Sequence, residues 1–228
     1  MITTRDQLID ALGNNSSRLV IDKASLANAV AGQFFSLWTA TGVPGAGSAP
    51  GAAAVPTKAT TGAFGFTNQT APATSYLAWL TGLFSLSASN LEIHDRLAHM
   101  SGLSGTVTTS QGALSLITTD PGADRIGDSN YSDVQWWLEI YTALGATGVN
   151  ATVAVEYDDG STGNLAAIAL GATPRQGRLY PLVSAVAGKF IRAVTGVTLS
   201  ATTGTAGNFG ITATRPRTSI SAPLLNKT

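Results

Sequence analysis

The chain has 228 residues, 44% of them hydrophobic and only 11% charged, with 13 basic and 13 acidic side chains and no cysteine. That composition excludes a disordered chain and any disulfide framework or thiolate metal site, and it disfavours a nucleic-acid binder, which needs a net basic face. Soluble domains usually carry roughly 25% charged residues, so a surface this poor in charge is expected of a subunit that hides itself in an assembly, with a trimeric or higher homo-oligomer favoured.

In chain order, Thr4 can cap a helix, with Gln7 three residues on and Leu8, Ile9 and Leu12 following before Gly13. Arg18 to Ile21 reads as a short strand, and Ser25 to Ala31 as a second short helix with Leu26, Val30 and Phe34 on one side. The start of the chain has neither the basic residues nor the apolar run of a secretory signal. The apolar neighbourhoods at 26–38 and 76–86 are interrupted by Asn28, Gln33, Thr81, Gly82 and Ser85, short of the ~18 apolar residues a membrane span needs. Synthesis in a cytoplasm and no membrane partner are expected.

From Thr41 to Gln69 the chain becomes turn-rich, with Gly42, Pro44, Gly45, Gly47, Pro50, Gly51 and Pro56 among small residues. This stretch is either a linker or an arm that lies along a neighbouring subunit. Two aromatics would be wasted in a spacer, so Phe64 and Phe66 favour the arm and become candidate interface residues. Tyr76 to Leu80 and Leu83 to Leu86 suit either helix or strand.

Beyond Ala71 the pattern is β. Between Ser132 and Tyr141 the residues Val134, Trp136, Leu138 and Ile140 alternate with Gln135, Trp137, Glu139 and Tyr141. Thr152 to Tyr157 alternates again, Asp158-Asp159-Gly160 supplies a hairpin turn, and Leu165 to Leu170 follows. Arg178–Leu182, Phe190–Val194, Val197–Leu199 and Phe209–Thr214 add short strands, with Gly145, Gly171, Gly188, Gly196 and Gly204 as turns. The expected fold is mainly β: an antiparallel β-sandwich or jelly-roll-like domain over 71–228, preceded over 1–70 by a short helical and extended N-terminal arm.

Catalytic and metal motifs are lacking, so no catalytic residue, metal or cofactor is assigned. His94 and His99 fall on opposite faces of a regular strand, which suits one metal poorly. Gly102-Leu103-Ser104-Gly105 is one residue short of a nucleophile elbow, and Gly45-Ala46-Gly47-Ser48-Ala49-Pro50 lacks the last glycine of a dinucleotide loop. The loop from Asp120 through Asp124 to Asp128 has the oxygen chemistry of a calcium site but not the spacing of an EF-hand, and a solvated turn explains it better. Asp158-Asp159 also reads as a turn. Trp137 and Tyr141 point away from the Trp136 face, toward a second core layer, a subunit interface or a sugar-stacking platform.

The segment Ile93-His94-Asp95-Arg96-Leu97-Ala98-His99-Met100-Ser101-Gly102-Leu103-Ser104-Gly105-Thr106-Val107-Thr108-Thr109 resembles one in virion structural proteins of tailed bacteriophages. So do Leu138 to Gly145, Val197 to Gly210 and the closing Thr214-Arg215-Pro216, the resemblance covering roughly residues 90–217. It implies a β-rich particle component with no catalytic residue to transfer. The expectation is a non-enzymatic capsid decoration (cement) protein in the virion, bound to the major capsid protein or other virion subunits. The alternatives are a tail or head–tail connector component, or a carbohydrate-binding receptor module.

Overall fold

The computed structural model describes residues 2–13, 18–24, 30–65, 77, 79–82 and 90–221. Of these, 40% are strand and 9% helix. Helix α1 (Arg5–Gly13) opens the chain, followed by β1 (Asp22–Lys23), β2 (Phe34–Phe35) and β3 (Gly42–Val43). The long strand β4 (Asn90–Leu103) leads to β5 (Leu114–Ser115) and two single-turn helices, α2 (Leu116–Thr119) and α3 (Ala123–Ile126). Strands β6 (Gln135–Thr142), β7 (Val149–Tyr157), β8 (Thr162–Asn164), β9 (Ile168–Gly171), β10 (Arg178–Leu182), β11 (Ile191–Leu199) and β12 (Asn208–Ser221) complete the fold.

Two antiparallel sheets form a sandwich. The first has the order β2-β10-β6-β12-β4 and the second β5-β11-β7-β8, with β9 also paired to β7. The period-2 pattern explains the core: Trp136, Leu138 and Ile140 of β6 and Phe209, Ile211 and Ala213 of β12 face Val149, Ala151, Val153, Val155 and Tyr157 of β7. Polar tips in this layer reach backbone in other strands and loops. Trp136 Nε1 donates to Ile191 O at 2.8 Å and Tyr180 Oη to Leu170 O at 2.5 Å.

Three local expectations change. Arg18 to Ile21 pairs with no strand among the described residues; the pairing begins at Asp22–Lys23, against β3. Phe190–Val194 and Val197–Leu199 merge into β11, because register shifts at 191–193 and 194–196 absorb the extra residues. Gly196 therefore lies inside a strand and makes no turn; a Cβ there would strike the Ser110 hydroxyl. Of the helix expected at 25–31, residues 25–29 lie outside the described residues, as do Tyr76 and Leu83 to Leu86.

The loops around 105, 145 and 203 meet at one end of the sandwich. Thr203, 1% exposed, donates its amide to Gly105 O at 2.8 Å. Its hydroxyl accepts from Gly145 N at 3.1 Å and donates to Thr205 O at 2.8 Å. Gly105 N closes the knot on Ala206 O at 2.6 Å. Glycine is required at 105 and 145 because the chains cross with no room for a Cβ.

Candidate functional site

Strand β6 is buried on both faces, from Trp136 through Tyr141. One face is the sandwich core. The other is covered by the chain's own residues 34–54. Phe34 lies 5.4 Å from the Trp137 ring, Ala54 bridges to His99, and Ser101 Oγ donates to Pro50 O at 2.5 Å. Residues 34–54, with the first part of the glycine- and proline-rich stretch, thus form a strap folded back on the sandwich of the same chain, and β2 adds an edge strand to the first sheet.

Trp38 anchors the strap. Its Nε1 donates to Ser48 O at 2.9 Å and its carbonyl accepts from Gly47 N at 2.8 Å. Gly47 and Gly62 pack so closely on the indole that a Cβ at Gly47 would enter the ring and one at Gly62 would press on it. The Arg96 guanidinium lies 4.6 Å over the Trp38 ring, and His99 meets it edge-on at 5.4 Å. Trp38→Ala is expected to free the strap, with protease cleavage within residues 42–62 at least ~10-fold faster while the β spectrum is retained. Equal cleavage of both proteins, read by mass spectrometry, would show that Trp38 does not hold it.

Beneath Trp38 lies a buried ionic cluster. Arg96 binds Glu139 in bidentate fashion, at 2.7 and 3.0 Å, with the glutamate 1% exposed. The same guanidinium donates to Tyr141 Oη and Thr212 Oγ1 at 3.2 Å and to Ser36 Oγ of the strap at 3.1 Å. Thr212 and Tyr141 hydroxyls complete the Glu139 carboxylate at 2.6 and 3.1 Å. Burial alone would raise the Glu139 pKa, but Arg96 beside it holds the carboxyl below its usual range. Burial, with Glu139 next to it, raises Tyr141. Acceptors and donors here are used up internally, so the cluster locks strap to sheet.

The sequence places His94 and His99 on opposite faces; the structure places both on the strap side. Ala98 pairs with Ala213 and Arg96 with Thr214, leaving Leu97 as an extra residue in a β-bulge. The bulge resets the alternation, so His94 packs edge-on to Trp137 at 6.3 Å while His99 Nδ1 faces Arg96 at 3.3 Å. Burial first, then the Arg96 charge, lowers the His99 pKa to about 4.

This shift fixes an acid response. Unfolded histidine titrates near 6.5, so between about pH 6.5 and 4 the unfolded chain binds more protons and stability falls with falling pH. The loss from His99 is about 3 kcal/mol once pH is below both values. Glu139 and Asp95, whose folded pKa values are also depressed, extend the decline below the ordinary carboxylate range. His99→Phe keeps an aromatic edge on Trp38 and is expected to flatten the melting-temperature slope between pH 6.5 and 4.5. An unchanged slope would assign the acid response elsewhere.

The expected site residues divide accordingly. Trp137, 6% exposed, and Tyr141, 3% exposed, are covered by the strap and form a second core layer; the sequence did not reveal what would cover them. Phe64 is half-buried, and Phe66 lies outside the described residues. In the acidic loop Asp120 accepts from Gly122 N and Asp128 from Asn130 N, both as turn bonds. Its Arg125 leaves the loop to bind Asp95 at 2.6 Å. Among the described residues no three His, Asp or Glu side chains gather as a metal site. Asp158 and Asp159 sit in the β7–β8 turn, where Asp159 pairs with Lys189 at 2.8 Å. Arg96, Ser36 and Trp38 escaped the sequence reading; the only hint was Glu139, a charge set between two aromatics.

No family model, no curated protein and no solved structure matches the chain.

A different surface is displayed in full. Helix α1 buries no residue, and Leu8 and Ile9 are 46% and 56% exposed. Ile2, Leu19 and Val20 flank it, also exposed. Among the described residues, most of the large apolar side chains left in solvent lie before residue 80, Phe34 of β2 being the one of these that belongs to the sandwich.

Proposed function

We propose that the chain is a non-enzymatic structural subunit of a tailed-phage particle, and within that class a capsid decoration (cement) protein acting as a homo-oligomer. The observation that carries this reading is the concentration of unburied apolar side chains before the sandwich, on a chain with only 11% charge. Such surface is the signature of a partner contact. The resemblance of residues 90–217 to virion structural proteins is the second support. Cementing then works by mass action: a subunit that binds only the assembled shell stabilises it by ~2.7 kcal/mol per site at a hundredfold excess over Kd.

Placement in the tail or at the head–tail connector is the second reading, and copy number separates the two. Imaging of particles containing the chain is expected to show hundreds of copies over the head. A ring of about a dozen at one vertex would move the protein to the connector or tail, and absence from particles would end the phage reading. A glycan-binding module would have stacked sugars on Trp137 and Tyr141, and both lie under the strap.

A further inference from the structure

We propose that residues 2–13 and 18–21 form a self-association element, in which α1 and the extended segment after it pack against the same residues of a second copy about a symmetry axis. The inference rests on the reading of the chain as an assembling subunit, and it names the surface and the partner.

Helix α1 is built to start sharply. Gln7 N bonds to Thr4 Oγ1 at 3.2 Å, and Thr4 N returns to Gln7 Oε1 at 3.3 Å, a reciprocal capping box. A nine-residue helix is nevertheless marginal alone in water, since isolated helices shorter than ~12–15 residues rarely hold. In its apolar stripe Leu8 and Ile9 are exposed and Leu12 is half-buried, so no side chain of the helix is fully buried. The Arg18-Leu19-Val20-Ile21 run has strand chemistry and no strand partner among the described residues. Both elements carry the sequence signals for order, yet α1 buries no side chain and, among the described residues, 18–21 pairs with no strand.

Area and charge select the occupant. Ile2, Leu8, Ile9, Leu19 and Val20 are 40–56% exposed. They display on the order of 450 Å² of apolar surface, about what a standard interface of ~800 Å² per partner, ~57% apolar, requires. Within the element Arg5 and Arg18 balance Asp6 and Asp10. A segment with equal numbers of both signs has no bias toward an acidic or basic partner and pairs with its own copy without net repulsion. A closed symmetric contact also repeats each favourable pair once per copy.

Sedimentation of the full chain between about 1 and 100 μM tests this. Wild type is expected to be oligomeric, and Leu8→Asp/Ile9→Asp to weaken association at least ~100-fold. Because Leu8 and Ile9 are themselves exposed, the variant should keep the melting temperature of the sandwich measured for dissociated wild type. In this cysteine-free chain, Ile9→Cys should form an inter-copy disulfide on mild oxidation, whereas Thr195→Cys on the exposed face of β11 should not. Wild type that stays monomeric at the highest concentration, including one that binds only some other protein, overturns the proposal. So does a variant that oligomerises as well as wild type. Particle incorporation is scored separately: a chain that self-associates through α1 yet is absent from particles refutes the phage reading alone, while one present in particles with α1 idle refutes this inference alone.

Discussion

Glu139→Ala is expected to destabilise the protein by about 3–5 kcal/mol, because it leaves the Arg96 guanidinium partly buried without its counter-charge. For a chain of this length each kcal/mol shifts the midpoint by ~2–4 °C, so thermal unfolding should move down by about 10 °C. The effect should reach the strap, since Arg96 also holds Ser36 Oγ and lies over Trp38. Arg96→Met combined with Glu139→Leu should be less damaging than the sum of the single changes, because no charge is then stranded. Additive single changes in a double-mutant cycle would mean that the two groups do not act as a pair.

Gly145→Ala should be among the most damaging single-methyl changes in the sandwich, at ~3 kcal/mol or more. The added Cβ would collide with the Thr203 carbonyl, and relief of the clash would stretch the bond from Gly145 N to Thr203 Oγ1. Both events fall in the knot that joins the loops around 105, 145 and 203. Gly148→Ala is the matched control three residues away. Its Cβ would find Gly171 backbone at 3.5 Å, an ordinary contact, and should change stability by less than ~1 kcal/mol. Urea unfolding of the two variants gives the comparison directly, and similar midpoints would show that the knot yields without strain.

Acid stability and the ion pair converge on the same place. His99, Arg96, Glu139 and Tyr141 occupy one patch under Trp38, so loss of the strap and loss of the cluster should accompany each other. Helix α1 contributes no residue to this patch, so substitutions at its exposed Leu8 and Ile9 are expected to leave the cluster intact.

The β class was readable from the residues because burial against one layer imprints a period of two. β7 shows it cleanly, with Val149, Ala151, Val153, Val155 and Tyr157 inward. β6 showed two aromatic faces, and its inward set was identifiable, since Trp136, Leu138 and Ile140 alternate without interruption. The turn at Asp158–Gly160 and the helix capped by Thr4 and Gln7 are local events governed by neighbours in sequence, and they lie where local chemistry puts them. What covers Trp137 and Tyr141 was not local. Residues 34–54 cover them from about a hundred positions away, with Phe34 against Trp137, Ser36 joined to Tyr141 through Arg96 and a backbone bridge from Ala54 to the neighbouring strand at His99, and only tertiary packing selects the chain's own sheet over a neighbour's. The site of Arg96 and His99 depended on a single extra residue, Leu97, whose bulge shifts the side chains that follow, His99 among them, to the opposite face until a second register shift before Leu103. Alternation is a property of the strand alone, whereas a bulge arises from how two strands fit. In this protein that fit, set by the pairing of β4 with β12, brought Arg96 onto Glu139 and His99 under Trp38.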